Sequence, residues 1–305
     1  MMLKGSISSA LLVFLVAGGI GLCTSWTVLA DGASVDPPVF QVRQGEIVEI
    51  VLSVPDHSTS VEGTWGGRNI PFFQLQDSTT LLGLVGVDLD AKLGTSSLKV
   101  TIVSSQWTET RKFIIEIADA SFPVQMLQLP RNMVDLDADT LKRVRKEAKL
   151  LRTLFAQTNT PLAWTDNFIV PLEGKISGAF GRQRIINGQK KNPHTGEDIS
   201  APHGAKVQAS NRGIVRLADE QFFSGKSILI DHGLGLFTMY FHLSEMFVEE
   251  GNTVDRGELI GLVGSTGRAT GPHLHWGARL NNARVDPYEL IQMKIGGRFN
   301  SVRVQ

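Results

Sequence analysis

The sequence predicts a mainly β protein: an N-terminal Ig-like β-sandwich, an interdomain helix and a C-terminal, Gly-rich antiparallel β-sheet domain. Three observations predict it. Short runs that alternate apolar and polar residues fill positions 39–120, one central stretch repeats its apolar residues at helical spacing, and the last third is too dense in glycine for helix. At 305 residues with 42% hydrophobic content, the chain suits two domains that each bury a core. The boundaries fall at 1–30 (signal peptide), 31–121 (sandwich), 122–165 (helical linker), 166–296 (C-terminal domain) and 297–305 (tail).

The N-terminus reads as an address. Lys4 gives a positive start, Ile7 to Cys23 is apolar, and Val28-Leu29-Ala30 places suitable residues at −3 and −1 of a cleavage site before Asp31-Gly32. Cleavage there removes Cys23, the chain's one cysteine. The alternative is an uncleaved membrane tether, since the uncharged stretch from Gly5 to Ala30 exceeds the ~20 residues that span a bilayer; glycines 18, 19 and 21 weigh against it. Both readings export the body of the protein, to the periplasm or cell envelope.

In the sandwich, Ile47 to Val54 is a dense β-branched run. Leu98, Val100 and Ile102 alternate with Lys99 and Thr101, and Phe113, Ile115 and Ile117 do the same with Glu116 outward. Gly66-Gly67 and the Lys92-Leu93-Gly94 region punctuate the strands. Pro123 and Pro130 mark the linker. Asp135, Asp137 and Asp139 crowd a helix start, where the dipole favours negative charge, and Leu141, Val144, Ala148, Leu151 and Leu154 follow at helical spacing. Lys142, Arg143, Lys146, Lys149 and Arg152 on the other face read as solvated. Beyond Pro171, Ser227–Asp231 and Leu236–His242 form a predicted hairpin joined by residues 232–235, and glycines 251, 257, 261, 264, 267 and 271 suit a tight sheet with bends.

Thirty basic residues balance thirty acidic ones, so no global field draws in nucleic acid. A single cysteine excludes an intrachain disulfide and a four-cysteine zinc site. A transition-metal site must use His, Asp and Glu. Two spacings offer one: His194-x-x-x-Asp198 and His273-x-His275, with His242 ending a strand between them. Residues two apart on a strand share a face, so His273 and His275 can point into one pocket while Leu274 packs behind. Three N or O ligands suit catalytic zinc, which lowers the pKa of a water to ~7.

The order H-x-x-x-D, Y-x-H-L and G-x-T-G-x-x-T-G-P-H-L-H resembles the lysostaphin or LytM-type zinc metallopeptidases, peptidoglycan endopeptidases, over about Pro171 to Leu290. Ser177-Gly178-Ala179-Phe180-Gly181-Arg182, Ile230-Asp231-His232-Gly233, Gly261-Leu262-Val263-Gly264 and Val285-Asp286-Pro287 belong to the same pattern. The resemblance implies Zn2+ held by His194, Asp198 and His275. It implies His273 as the group that activates water and His242 as the group that stabilises the oxyanion, in protonated form, or positions the water. It implies peptidoglycan peptides as substrate. Gly277 departs from the pattern where many relatives carry an acidic residue, which bears on substrate preference or local packing.

The remaining candidates read otherwise. His232 is expected to be structural, His203 an exposed loop residue, His57 solvent-facing, Trp276 core, and Glu197 either behind the ligands or in solvent. Rival functions are a LytM-type regulator of cell-wall amidases that has lost its ligands, and a cell-wall binding protein; the intact ligand set speaks against the first. The segment 122–165 is long enough to dock over the groove and restrict it, or to act as a plain spacer.

Overall fold

The alternation read in the sequence becomes strand throughout the computed structural model, which describes residues 13–16, 37–54, 59–74, 79–128, 135–157, 161–164, 166–190 and 192–293. The expected signal peptide lies outside the described residues except for 13–16, and His57, Pro130 and the 297–305 tail lie outside them altogether. Among the described residues the chain is mainly β, with 21 strands and two helices. The chain divides into two compact units: 1–43, 47–85 and 92–118 form the first, and 44–46, 86–91 and 119–305 the second.

The first unit holds β1 (Val13–Val16), β2 (Val39–Arg43), β3 (Ile47–Ser53), β4 (Ser60–Trp65), β5 (Arg68–Gln74), β6 (Thr80–Gly86), β7 (Gly94–Val103) and β8 (Thr108–Ala118). They pair in the order β1-β3-β6-β5-β4-β7-β8-β2, antiparallel where the register is known except for parallel β2 and β8. Leu98, Val100, Ile102, Phe113, Ile115 and Ile117 are buried as their period-2 spacing requires, and Lys99 and Glu116 face out. Each large side chain so buried contributes roughly 1.5–3 kcal/mol.

In the second unit, β9 (Val124–Leu127) precedes α1 (Ala138–Phe155). Asp137 caps α1, its carboxylate accepting from Thr140 N at 2.8 Å. Leu151, Leu154 and Phe155 pack against Leu217, Leu229, Phe237 and Met239, while the basic residues of the opposite face are exposed. There follow β10 (Lys175–Gly178), β11 (Gln183–Ile186), β12 (Gln189–Lys190), β13 (Gly196–Ser200), β14 (Lys206–Gln208), β15 (Gly213–Gln221), β16 (Gly225–Asp231), β17 (Leu236–Met246), β18 (Thr253–Val254), β19 (Leu259–Val263), β20 (His273–Leu280), β21 (Ala283–Val285) and α2 (Pro287–Gln292).

The main sheet runs β10-β13-β20-β17-β16-β15-β18 and is antiparallel throughout; β14, β19 and β21 pair off this path. β16 and β17 form the predicted hairpin, closed at 232–235. One face buries Ile199, Ile228, Ile230, Tyr240, Leu274 and Trp276 in a common core. Within the segment read as a linker, β9 is a true strand, parallel to β11 in a small sheet of order β12-β11-β9. Pro123 does not prevent this, because its carbonyl still accepts from Gln183 N at 2.9 Å.

Candidate metal and catalytic centre

β13 and β20 pair so that Asp198 stands opposite His275 and Ser200 opposite His273, with Glu197 opposite Trp276 and Ile199 opposite Leu274. Alternation then sorts the two strands chemically. Asp198, His273 and His275 share one face, and Ile199, Leu274 and Trp276 anchor the other in the core. β17 flanks β20 and brings Phe241 beside His275, their rings stacked at 5.4 Å and 4°.

His194 arrives from the loop before β13. That loop is clamped to the Ser177–Arg182 turn: Gly181 N donates to His194 O at 2.8 Å and His194 N to Arg182 O at 2.9 Å. The imidazole Nδ1 donates to Ala179 O at 2.9 Å, since a carbonyl only accepts. In the neutral ring Nε2 then carries a lone pair. It lies 2.9 Å from both Asp198 Oδ1 and His275 Nδ1, and those two are themselves 2.9 Å apart. Two acceptors thus face each other in a nearly closed triangle whose third corner carries at most one proton.

A cation resolves that conflict. Ligand atoms ~2.0–2.2 Å from a tetrahedral zinc would stand about 3.3–3.6 Å apart, so the triangle would expand by about half an ångström to fit one, and two imidazole nitrogens with one carboxylate oxygen are a zinc donor set. His275 is neutral, the form that metal binding would require: burial lowers its pKa to about 4 against the opposing pull of Asp198. Burial alone would raise the Asp198 pKa, but its contacts with His194 and His275 hold the carboxyl well below the usual range. Gly178 packs so closely on Asp198 Oδ2 that a Cβ there would collide with the carboxylate. The Ser-Gly-Ala-Phe-Gly stretch therefore supplies the room for Asp198 and the carbonyl that orients His194.

His273 and His242 complete the wall. His273 Nδ1 donates to Gly271 O at 2.8 Å, and its Nε2 lies 3.7 Å from Asp198 Oδ1. His242 Nδ1 donates to Thr266 O at 2.8 Å, and its ring centroid lies 4.8 Å from that of His273. His242 holds φ at +64°, the left-handed region a non-glycine residue occupies at a cost of about 1–3 kcal/mol. Burial, with the charges of His275 and His273 beside it, lowers its pKa to about 3. Asp198, His242, His273 and His275 line a cavity of about 160 Å³, with His194 buried behind them.

Several wall residues were not singled out in the sequence: Arg184, Arg268, Gln125 and Leu127, the last two from β9. Ser177 and Thr266 lie in stretches that carry the resemblance but had no role assigned; the Thr266 carbonyl fixes the His242 tautomer and its Oγ1 accepts from Lys226 N at 2.9 Å. Glu197 takes the first of its two expected places. It is 5% exposed, among packed residues on the face opposite Asp198. Its Oε1 accepts from Phe180 N at 2.9 Å, which holds the turn that carries Ala179. Burial raises its pKa to about 7, with Asp286 and Asp198 adding to the effect and the Phe180 N–H opposing it. At Gly277 a Cβ would stand 2.7 Å from Met239 Cε and 3.7 Å from His275 Nε2, so the departure there is matched by local packing. His232 is fully buried and bonded at both nitrogens, His203 is exposed, and Trp276 is core.

Residues 192–287 match Peptidase family M23. Over 113 residues the chain is 48% identical to the DD-carboxypeptidase/endopeptidase Mpg of Neisseria meningitidis serogroup B, a match covering 37% of this chain and 26% of that protein. Over 109 residues it is 40% identical to the peptidoglycan DD-endopeptidase ShyA of Vibrio cholerae, covering 35% and 25%. The chain thus spans about a quarter of the length of these curated relatives. A crystal structure from Pseudomonas aeruginosa assigned to peptidase M23 shares the fold over 81% of this chain and 94% of its own, with a TM-score of 0.63 and 28% identity.

Proposed function

We propose, from the Peptidase family M23 domain at residues 192–287, that this chain is an exported, zinc-dependent endopeptidase that hydrolyses peptide bonds in peptidoglycan cross-links or stems. The observation that carries the reading is the triangle of His194 Nε2, Asp198 Oδ1 and His275 Nδ1, each 2.9 Å from the others and open to a cavity that His242 and His273 also line. Relatives named as DD-endopeptidases support peptidoglycan peptides as the substrate. Export rests on reading residues 1–30 as a signal peptide; no helix among the described residues is long and apolar enough to cross a membrane.

Held at the triangle, zinc supplies Lewis acidity and lowers the pKa of a water to about 7. The chain's own groups handle the protons. His273 commits Nδ1–H to Gly271 O, so its Nε2 lone pair accepts the proton of the attacking water and returns it to the amine as the C–N bond breaks. His242, neutral down to about 3, presents Nε2 as an acceptor that orients this water. It donates to a developing oxyanion only after it has itself gained a proton, which narrows the protonated role expected from the resemblance. The test is zinc analysis of the purified protein together with mass spectrometry of fragments from defined muropeptides. About one zinc per chain and peptide-bond fragments are expected; intact muropeptides in the presence of zinc overturn the reading.

Gln125 and Leu127 stand on the cavity wall, which supports a restricting role for the segment 122–165 over that of a plain spacer. A chain that begins near Asp166 then cleaves the same muropeptide with a higher kcat/KM at equal zinc loading. Equal rates return the segment to a spacer.

A further inference from the structure

The cavity wall is cationic on the side away from the histidines. Arg184 and Arg268 both line it, and Asp198 is the one acidic residue among the described residues that do. Arg184 is partly buried, with 23% of its side chain exposed. Its Nη2 reaches Asp198 Oδ2 at 3.4 Å, a long contact, and its Nε has no hydrogen-bond partner among the described residues. Arg268 lays its guanidinium over the Phe223 ring, 4.2 Å from the centroid, which fixes the plane of the fork. Each guanidinium is in an unfavourable place for a charge. Burial lowers the pKa of both; Arg182 adds to this at Arg184 although Asp198 opposes it, and Arg184 adds to it at Arg268. With Asp198 Oδ1 held by a divalent ion, the Arg184 guanidinium would share the Asp198 carboxylate with that ion.

Two like charges held together at the edge of a reaction cavity are relieved by an anion, and the planar guanidinium fork matches a carboxylate. We infer that Arg184 and Arg268 recognise a carboxylate of the peptide substrate, on the residue that follows the scissile bond. The inference rests on the endopeptidase reading above and deepens it. The substrate is then an acidic peptide end rather than any peptide that reaches the metal, and the two arginines are specificity residues, not catalytic ones.

The test uses two peptides that differ only in a carboxylate or a carboxamide on the residue after the scissile bond. Wild type is expected to favour the acid by about 10- to 100-fold in kcat/KM, the scale of a charge-assisted pair. Arg184→Gln and Arg268→Gln bring the acid-to-amide ratio toward one, and Arg268→Lys, which keeps the charge but not the fork, restores part of it. Zinc is measured in each variant, because Arg184 touches Asp198. Equal rates on the two peptides in wild type, or an unchanged ratio in both glutamine variants, overturn the inference.

A second measurement separates this failure from that of the endopeptidase reading. N-acetyl-D-alanine and its carboxamide are titrated by NMR into the metal-free full chain, where no ion captures the carboxylate. If wild type cleaves neither peptide, the endopeptidase reading fails and the titration decides alone. Acid-selective binding that Arg268→Gln abolishes upholds the fork, and equal or absent binding of acid and amide removes it.

Discussion

Two histidine–aspartate clusters lie in the second unit, and they differ in how their hydrogen bonds close. At the hairpin, His232 donates from Nδ1 to Arg212 O at 2.7 Å, and its Nε2 meets Thr238 Oγ1 at 2.7 Å, which in turn meets the Tyr240 hydroxyl at 2.9 Å. Asp231 accepts from Gly233 N at 2.9 Å and from Arg216 Nε at 3.0 Å. Each of these polar groups has a hydrogen-bond partner within the protein. At the other cluster, His194 Nε2 and Asp198 Oδ1 are both acceptors at 2.9 Å, with His275 Nδ1 equally close to each. Asp231 and His232 are fully buried while Asp198 keeps 14% of its side chain exposed, and residue type alone does not distinguish a structural cluster from a site. The count of protons does: a balanced cluster stabilises the fold by itself, and an unbalanced one is complete only with a cation.

The strongest way to break this contrast is to remove a corner of the unbalanced triangle. His194→Ala and Asp198→Ala are expected to lose zinc and to cleave muropeptides below detection. Zinc at 1,000 times its Kd should stabilise wild type by about 4 kcal/mol and leave either variant unshifted in thermal unfolding. Gly178→Ala is a graded version, since its methyl presses on Asp198 Oδ2 without deleting a ligand. Its zinc affinity should fall about 10- to 100-fold, the scale of lost support around a metal ligand. A full zinc complement in either ligand variant would sink the assignment.

The next largest effect separates the ligands from the two histidines beside them. His242→Ala and His273→Ala should keep zinc and lose turnover by about 10²-fold or more, because each presents a lone pair to the cavity but stands outside the triangle. Zinc analysis alongside kcat decides it: a zinc-free variant makes that histidine a ligand.

The sequence and the structure part at identifiable places. Period-2 alternation placed Leu98 to Ile102 and Phe113 to Ile117 correctly because strand geometry makes alternation local. The same rule set His273 and His275 on one face and Leu274 behind. Asp137 announced its helix because capping acts within three residues. What stayed illegible depends on partners far along the chain. β9 shows no strand pattern of its own and exists through parallel pairing with β11, nearly sixty residues away. Arg184 lies in none of the motifs, Arg268 fills an unspecified position of one, and the two meet at the cavity wall. Alternation turned Glu197 away from Asp198 but could not choose between solvent and the space behind the site; pairing opposite Trp276 puts it on the buried face. The proton imbalance at His194 needed Ala179 O, a main-chain atom that carries no sequence signature.

The smallest effect tests the balanced cluster, and it concerns pH rather than metal. His232 is fully buried, and burial lowers its pKa from 6.5 to about 4, although its hydrogen bond to Arg212 O and the charge of Asp231 pull the other way. The unfolded chain binds a proton at this residue below about 6.5, and the folded chain only below about 4. Between those values the unfolded state holds more protons, so stability falls as pH falls; below about 4 both states are protonated and the loss stops. The depressed pKa corresponds to about 3 kcal/mol across that window. His232→Gln should cost roughly 1–3 kcal/mol at pH 7 through imperfect bonds to Arg212 O and Thr238 Oγ1, with zinc content and kcat unchanged. Its disadvantage should then shrink toward pH 4, because glutamine does not titrate. Urea unfolding of both metal-free chains at pH 7, 5.5 and 4 measures the difference. A gap that stays constant across the three would show that His232 does not titrate differently on folding, and the hairpin cluster could not then be called balanced around a neutral imidazole.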